Sequence, residues 1–202
     1  MKKNSAWIIF CAAVVLSAGG LVFMKRGDWV RKPEAKFSKF QGYDAELRVA
    51  FQYPEGWRLE QEKGTIDRYQ KVRLLGYRNQ EGTYTCYLSV VGFPKKESGG
   101  KFETLEEFAR NYKEHLLIDS KIEAEVAHSV AGQKAIDLTV SYTIPPLYKH
   151  GLKAIEIPVK TRTLFAQKGP YLYQITYSAD AREYDLHAQA FEQLLKTFRF
   201  QS

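Results

Sequence analysis

The sequence is nearly free of cysteine. Of its two, Cys11 lies inside an apolar run and Cys86 stands alone in the rest of the chain, so the body has no intrachain disulfide available. Histidine is scarce as well: His115, His128, His150 and His187 share no metal-ligand spacing, and neither a His-x-x-x-His nor a Cys-x-x-Cys pair occurs. A Gly-x-Ser-x-Gly nucleophile elbow is absent. Ser98-Gly99-Gly100-Lys101 is superficially like a phosphate loop, but it lacks the first Gly of that motif, and Phe102 stands where a Ser or Thr belongs. It reads as a surface loop. Glu123 and Glu125 would share one face of a strand, and paired carboxylates can do acid–base work, but a solvated edge is the reading adopted. No catalytic residue, cofactor site or metal site is expected, and the chain is not expected to be an enzyme. Internal repeats and low-complexity tracts are also missing.

A basic face is lacking too, despite a net charge of +7. Residues 1–32 hold six basic residues (Lys2, Lys3, Lys25, Arg26, Arg31, Lys32) against one acid, Asp28, which leaves only +2 on the body. Most of the excess therefore flanks one apolar segment rather than forming the stripe that phosphate contacts require. Nucleic acid is not an expected partner.

That segment, residues 6–24, reads AWIIFCAAVVLSAGGLVFM and carries no charge. As a helix it would span about 28 Å, close to the hydrocarbon thickness of about 30 Å. A cleaved signal peptide would have a shorter apolar core and then a polar small-x-small site. Ser17-Ala18-Gly19 is a candidate, but Leu21-Val22-Phe23-Met24 continues the run. Cys11 follows Phe10 and makes no lipoprotein site. The expectation is an uncleaved signal anchor over residues 1–27, with export after cleavage as the alternative. The basic residues after the segment outnumber those before it, which alone would keep the body in the cytoplasm. The short Lys-Lys leader is the usual form of an export signal, and an extracytoplasmic body is the reading adopted.

What the chain does have is strand periodicity. Hydrophobic content of 45% and charged content of 26% are those of an ordinary globular domain, and a body of this length buries about two thirds of its unfolded surface. A charged linker is expected over residues 28–40 and the domain over 41–202. Leu47, Val49, Phe51 and Tyr53 alternate with polar or small neighbours, Pro54-Glu55-Gly56 turns the chain, and Trp57 to Glu60 returns. Tyr69–Arg78 and Thr83–Phe93 form a hairpin around Asn79-Gln80-Glu81-Gly82, with Tyr84, Cys86, Leu88 and Val90 on one face. Cys86 there reads as a small buried hydrophobe. Thr104-Leu105-Glu106-Glu107 is a capping box that opens a helix with Leu105, Phe108, Ala109, Tyr112 and Leu116 on one stripe.

Further strands are expected at Ile122–Val130, Lys134–Tyr142, Ile155–Ala166 and Tyr171–Tyr177. A second helix opens at Asp180-Ala181-Arg182-Glu183 with Tyr184, Ala188, Phe191 and Leu195 inward, and a short strand closes the chain at Thr197–Phe200. Many strands with two helices and no long crossovers predict an α+β fold around a mainly antiparallel sheet.

At these positions the chain resembles the PsbP-like proteins. Phe51-Gln52-Tyr53-Pro54-Glu55-Gly56-Trp57 looks like their strand-then-"YPxGW" opening, and Thr104 to Phe108 like their "sleef" helix start. Gly132 to Ala135 is similar to their "G-x-x-A" turn, Tyr171 to Ala179 to their "vYxltysa" strand, and Phe191 to Phe200 to their closing segment. The resemblance spans roughly residues 40–200. It implies an α/β/α sandwich, here preceded by one N-terminal transmembrane helix. In that family it implies non-catalytic accessory work: PsbP proteins are lumenal subunits of photosystem II that help retain calcium and chloride. The same fold in a nuclear import factor binds a small GTPase, and related bacterial domains are often exported or lipid-anchored. The stretch Ile144–Gly151 departs from the pattern.

The expected function is a membrane-anchored accessory or protein-interaction domain, and the alternative is a small-ligand-binding domain in the same sandwich. Pro145, Pro146, Leu147 and Tyr148, a rigid apolar stretch, are the candidate partner-binding residues.

Overall fold

The fold is described from a computed structural model that defines residues 36–64, 68–77, 84–144 and 156–201. The expected membrane helix at 6–24, the linker up to residue 35, the hairpin loop at 79–82 and the stretch 145–148 lie outside them. Among the described residues no helix is long and apolar enough to cross a membrane.

The strands run in chain order as β1 (Phe37–Gln41), β2 (Val49–Pro54), β3 (Arg58–Lys63), β4 (Gln70–Leu75) and β5 (Cys86–Pro94). Helix α1 (Leu105–Glu114) follows, then β6 (Lys121–Val130), β7 (Gln133–Ile144), β8 (Ile157–Lys168) and β9 (Tyr171–Asp180). Helix α2 (Tyr184–Thr197) and β10 (Arg199–Phe200) close the chain. One sheet has the order β3-β4-β5-β9-β8-β7-β6, and a small one the order β1-β2-β10. All pairings are antiparallel, as the absence of long crossovers predicts.

Two tight hairpins explain the register. Between β6 and β7, Ala131 and Gly132 take φ of +48° and +75°, the paired positive angles of a type I′ turn whose twist matches the strands. Between β8 and β9, Gly169 takes φ of +55° ahead of Pro170, and Lys168 pairs with Tyr171.

Layering follows from alternation along β8. Leu164 and Ala166 point into one core with Tyr173, Ile175 and Tyr177 of β9 and Phe191 and Leu194 of α2. Phe165, between them, points the other way and packs with Leu105, Phe108 and Ala109 of α1. The two helices thus cover opposite faces of the seven-stranded sheet. The sandwich differs from the expected one on the α2 face, where Phe40, Val49 and Phe51 of the small sheet join the helix in the same core.

The expected linker ends early for this reason. Residues 37–40 belong to β1, which pairs with β2, and the compact unit starts at Phe37. Phe40 is buried and its ring lies 4.9 Å from that of Phe51, a cross-strand contact hidden in a segment that reads as charged.

The helix starts also differ in detail. The Thr104 hydroxyl accepts the Glu107 amide at 3.1 Å, but the Glu107 carboxylate takes the amide of Glu103, at 2.8 Å, rather than that of Thr104. Replacing Thr104 by alanine is expected to cost about 1 kcal/mol, the usual value of such a cap, read as a lower urea midpoint at unchanged slope. Asp180 does not cap α2. It ends β9 and accepts the Arg182 amide at 3.0 Å in a local turn, and α2 begins four residues after it, at Tyr184 behind Glu183, which makes no side-chain cap. The inward stripe of α2 shifts accordingly to Ala190, Phe191 and Leu194, with Tyr184, Ala188 and Leu195 at its margin.

Candidate functional site

Helix α1 is shorter than the sheet it covers. It sits over β8 and β7, and among the described residues no helix covers the same face of β4, β5 and β9. The residues of that face follow from period-two alternation. On β5, Cys86, Leu88 and Val90 are in the α2-side core, which turns Tyr87, Ser89, Val91 and Phe93 toward α1. On β9 the same rule turns Gln174, Thr176 and Ser178 to that face, and on β8 Thr161 and Thr163, the four hydroxyl residues being buried. On β4, Val72 and Leu74 are in the core, so Lys71 and Arg73 stand on the groove side.

The register aligns these into rows. Arg73 pairs with Ser89, Ser89 with Thr176, and Thr176 with Thr163. Tyr87 pairs with Ser178, and Ser178 with Thr161. The hydroxyls satisfy one another: Thr161 Oγ1 donates to Ser178 Oγ at 2.9 Å, and Thr163 and Thr176 Oγ1 atoms lie 3.2 Å apart. Such mutual pairing is what allows a polar floor on central strands. Burial pushes the Tyr87 and Tyr112 phenols above their ordinary range, with Ser178 and Thr163 as their opposing hydrogen-bond neighbours.

Two connected cavities occupy the open face. One, of about 410 Å³, runs along α1 and is walled mainly by Phe93, Phe102, Phe108, Tyr112, Leu116 and Tyr142. The other, of about 420 Å³, lies over the hydroxyl floor and reaches Lys71 and Arg73. Phe93, Tyr112, Tyr142 and Gln174 line both, so they form a single groove with an aromatic arm and a cationic arm. Volumes of this size are those of small-molecule sites.

The cationic arm is incompletely neutralised. Glu60 pairs across the strand with Arg73, but its carboxylate is 3.0 Å from Arg58. Glu62 accepts from the Tyr69 hydroxyl at 2.5 Å and lies 3.7 Å from Lys71. Among the described residues Arg73 makes no ion pair. Burial first, and the Arg73 cation second, hold the Lys71 ammonium below its ordinary value, opposed by Glu62.

The residues singled out in the sequence are dispersed. Pro145, Pro146, Leu147 and Tyr148 lie outside the described residues, as does His150. Cys86 is buried, and burial pushes its thiol up to about 11, so it stays protonated at neutral pH. His128 is exposed on β6, His187 packs 5.4 Å from the Tyr77 ring, and His115 is at the end of α1 with Nδ1 2.8 Å from the Asn111 carbonyl oxygen. No three metal-ligating side chains gather among the described residues.

Glu123 and Glu125 do not share a face. A bulge between Ile122 and Ala124 shifts the register, leaving Glu123 2.9 Å from Lys160 on the α2 side and Glu125 2.9 Å from Lys113 of α1. The groove residues went unread in the sequence, although Thr161/Thr163 and Thr176/Ser178 are polar pairs at period two inside central strands, where both faces are normally apolar.

No family model matches the chain, and no curated protein matches it in sequence. Among solved structures it is similar to cyanobacterial PsbP from Synechocystis sp. PCC 6803, at 15% identity over 85% of this chain and 96% of that one, with a TM-score of 0.49. It is also similar to LpqN of Mycobacterium tuberculosis, a protein involved in cell envelope biogenesis, at 13% identity over 87% and 96%, with a TM-score of 0.48. PsbP, which the sequence motifs resemble, is thus among the similar structures.

Proposed function

We propose that this chain is a non-catalytic binding module, held at a membrane by residues 6–24 with its body outside the cytoplasm, that takes a small ligand in the groove between α1 and the seven-stranded sheet. The observation that carries the reading is the groove itself. A sandwich that needed only to be stable would bring α1 across the whole face and close it. Here an aromatic wall stands over a floor of mutually bonded hydroxyls, the mixture of broad apolar contact and a few orienting polar groups that small-molecule sites have. Tethering, inferred from the uncharged run and its basic flanks, would confine that ligand, or a partner receiving it, to the bilayer surface.

The protein-partner reading keeps one structural support of its own. Strand β6 is a sheet edge exposed on both faces, with Ile122 and Val126 outward, and an open edge can accept a strand from another chain. Its bulge and its charges Lys121, Glu123 and Glu125 are, however, devices that discourage such pairing. A docking role for Pro145 to Tyr148 rests on the sequence alone.

Photolabelling tests the groove. The full chain in zwitterionic lipid nanodiscs is exposed to a panel of small photoreactive aryl probes, and the adducts are mapped by mass spectrometry. Labels should concentrate on Tyr112, Tyr142 and their neighbours in the groove. The bulkier Gln174→Trp, at the junction of the two arms, should abolish most of them. Labels spread over the α2 face, or indifferent to Gln174→Trp, would refute the reading.

A further inference from the structure

The two arms of the groove differ in chemistry, and the difference specifies a class of ligand. The arm along α1 is lined mostly by apolar groups such as Phe93, Phe108 and Leu116, which gain by covering apolar surface, with Lys101 and His115 also along it. The arm toward the sheet edge offers Lys71 and Arg73. β4 and β9 are two inter-strand steps apart, about 10 Å at normal spacing, so a ligand anchored at Arg73 crosses Ser89 to Thr176, beside Gln174, where the aromatic arm begins.

The charges at that end do not cancel. Arg58 and Glu60 pair with each other, and Glu62, which also accepts from Tyr69, is among the described residues the one carboxylate shared by Lys71 and Arg73. A half-buried guanidinium and a half-buried ammonium sharing one carboxylate keep a net positive charge, and a planar fork of donors suits further carboxylate or phosphate oxygens. Nothing comparable attracts a cation: the acids of this edge, Glu60 and Glu62, are engaged by neighbouring donors.

We propose that the groove binds a small amphiphilic anion, with its carboxylate or phosphate oxygens at Arg73 and Lys71 and its apolar tail between α1 and Phe93. This rests on the groove being the binding site and adds the polarity and orientation of the occupant. An extended molecule fits better than a globular one, because the two arms are joined end to end through Tyr112, Tyr142 and Gln174.

Three water-soluble probes of one shape provide the test: 4-phenylbutyrate, 4-phenylbutanol and 4-phenylbutylamine, titrated calorimetrically into the full chain in zwitterionic nanodiscs, with empty nanodiscs subtracted. The carboxylate should bind at least about tenfold more tightly than the alcohol, the factor one charge-assisted hydrogen bond supplies, and the amine more weakly than either. In Arg73→Gln, and further in Lys71→Gln/Arg73→Gln, carboxylate affinity should fall to that of the alcohol. Alcohol affinity should stay unchanged, which also shows that the variants fold.

Equal affinity for all three probes, with Gln174→Trp still blocking them, would overturn the proposal and leave the groove reading standing. Failure of every probe to bind would overturn both. Binding of the chain to vesicles of anionic lipid, without binding of monomeric 4-phenylbutyrate, would replace the small anion by a membrane surface.

Discussion

Replacing Asp137 by alanine is expected to destabilise the protein by about 3–5 kcal/mol, the cost of stranding one charge of a buried pair. Asp137 lies on β7 and its side chain is only 6% exposed. Arg162, its diagonal neighbour on β8, donates from Nε at 3.1 and 3.0 Å to the two carboxylate oxygens, and from a terminal nitrogen at 2.7 Å. The same guanidinium lies 5.5 Å from the Phe191 ring centroid and donates at 2.6 Å to Glu192, both on α2. The cluster therefore ties two strands to the helix that covers them.

With Asp137 gone, Arg162 has only the exposed Glu192 left, and Glu192 screened by water contributes little. Urea unfolding of Asp137→Ala should show the full loss. The double variant Asp137→Leu/Arg162→Met, which removes both charges at similar volume, should recover most of it. A loss under about 1 kcal/mol for the single change would place the pair with ordinary surface bridges. Because the cluster is on the α2 face, none of these changes should alter binding in the groove.

The placement of Asp137 shows how far the sequence can be read. Alternation along β7 separates Asp137, Thr139 and Ser141 from Ile136, Leu138 and Val140, and that separation is correct. What alternation does not say is which face is wet. The polar row suggests solvent, but α2 covers it and buries Asp137, because the second half of the sandwich comes from a helix some fifty residues on. The strands β4 to β9 were legible, since their period-two patterns and turn residues are local signals. The small sheet was half hidden: β2 was visible, while β1 depends on Phe40 meeting Phe51 across the pair, and no local pattern announces a partner strand. Glu123 and Glu125 failed for a related reason, since a bulge flips the face of every residue before it.

The groove was illegible in its own way. Its floor residues appear in sequence as scattered Ser and Thr on separate strands, and only the strand order β4-β5-β9-β8 brings Arg73, Ser89, Thr176 and Thr163 into one row. The residues that looked most like a binding stretch, Pro145 to Tyr148, did so through composition. Composition reports exposure but carries no information on what converges in space.

Phe165→Ala and Phe191→Ala should each cost about 3–5 kcal/mol, as deletions of buried aromatic rings do, yet differ sharply in their effect on the groove. Both side chains are essentially inaccessible to solvent. Phe165 is the sheet residue on which α1 rests, with its ring 5.4 Å from Phe108 and 5.1 Å from Tyr112, edge-on to both. Those two residues are also the α1 wall of the groove. Phe191 fills the opposite core, 5.8 Å from Tyr177. Equal losses of stability should therefore part company in a binding measurement made where both variants are still folded. Phe165→Ala leaves α1 free to sink or tilt, so affinity for 4-phenylbutyrate and 4-phenylbutanol should fall together, the tail contacts being common to both. Phe191→Ala should leave both affinities near the parent values. If Phe191→Ala weakened binding as much as Phe165→Ala, the groove would be responding to global stability rather than to the seating of α1, and its aromatic arm would lose its assignment as the tail site.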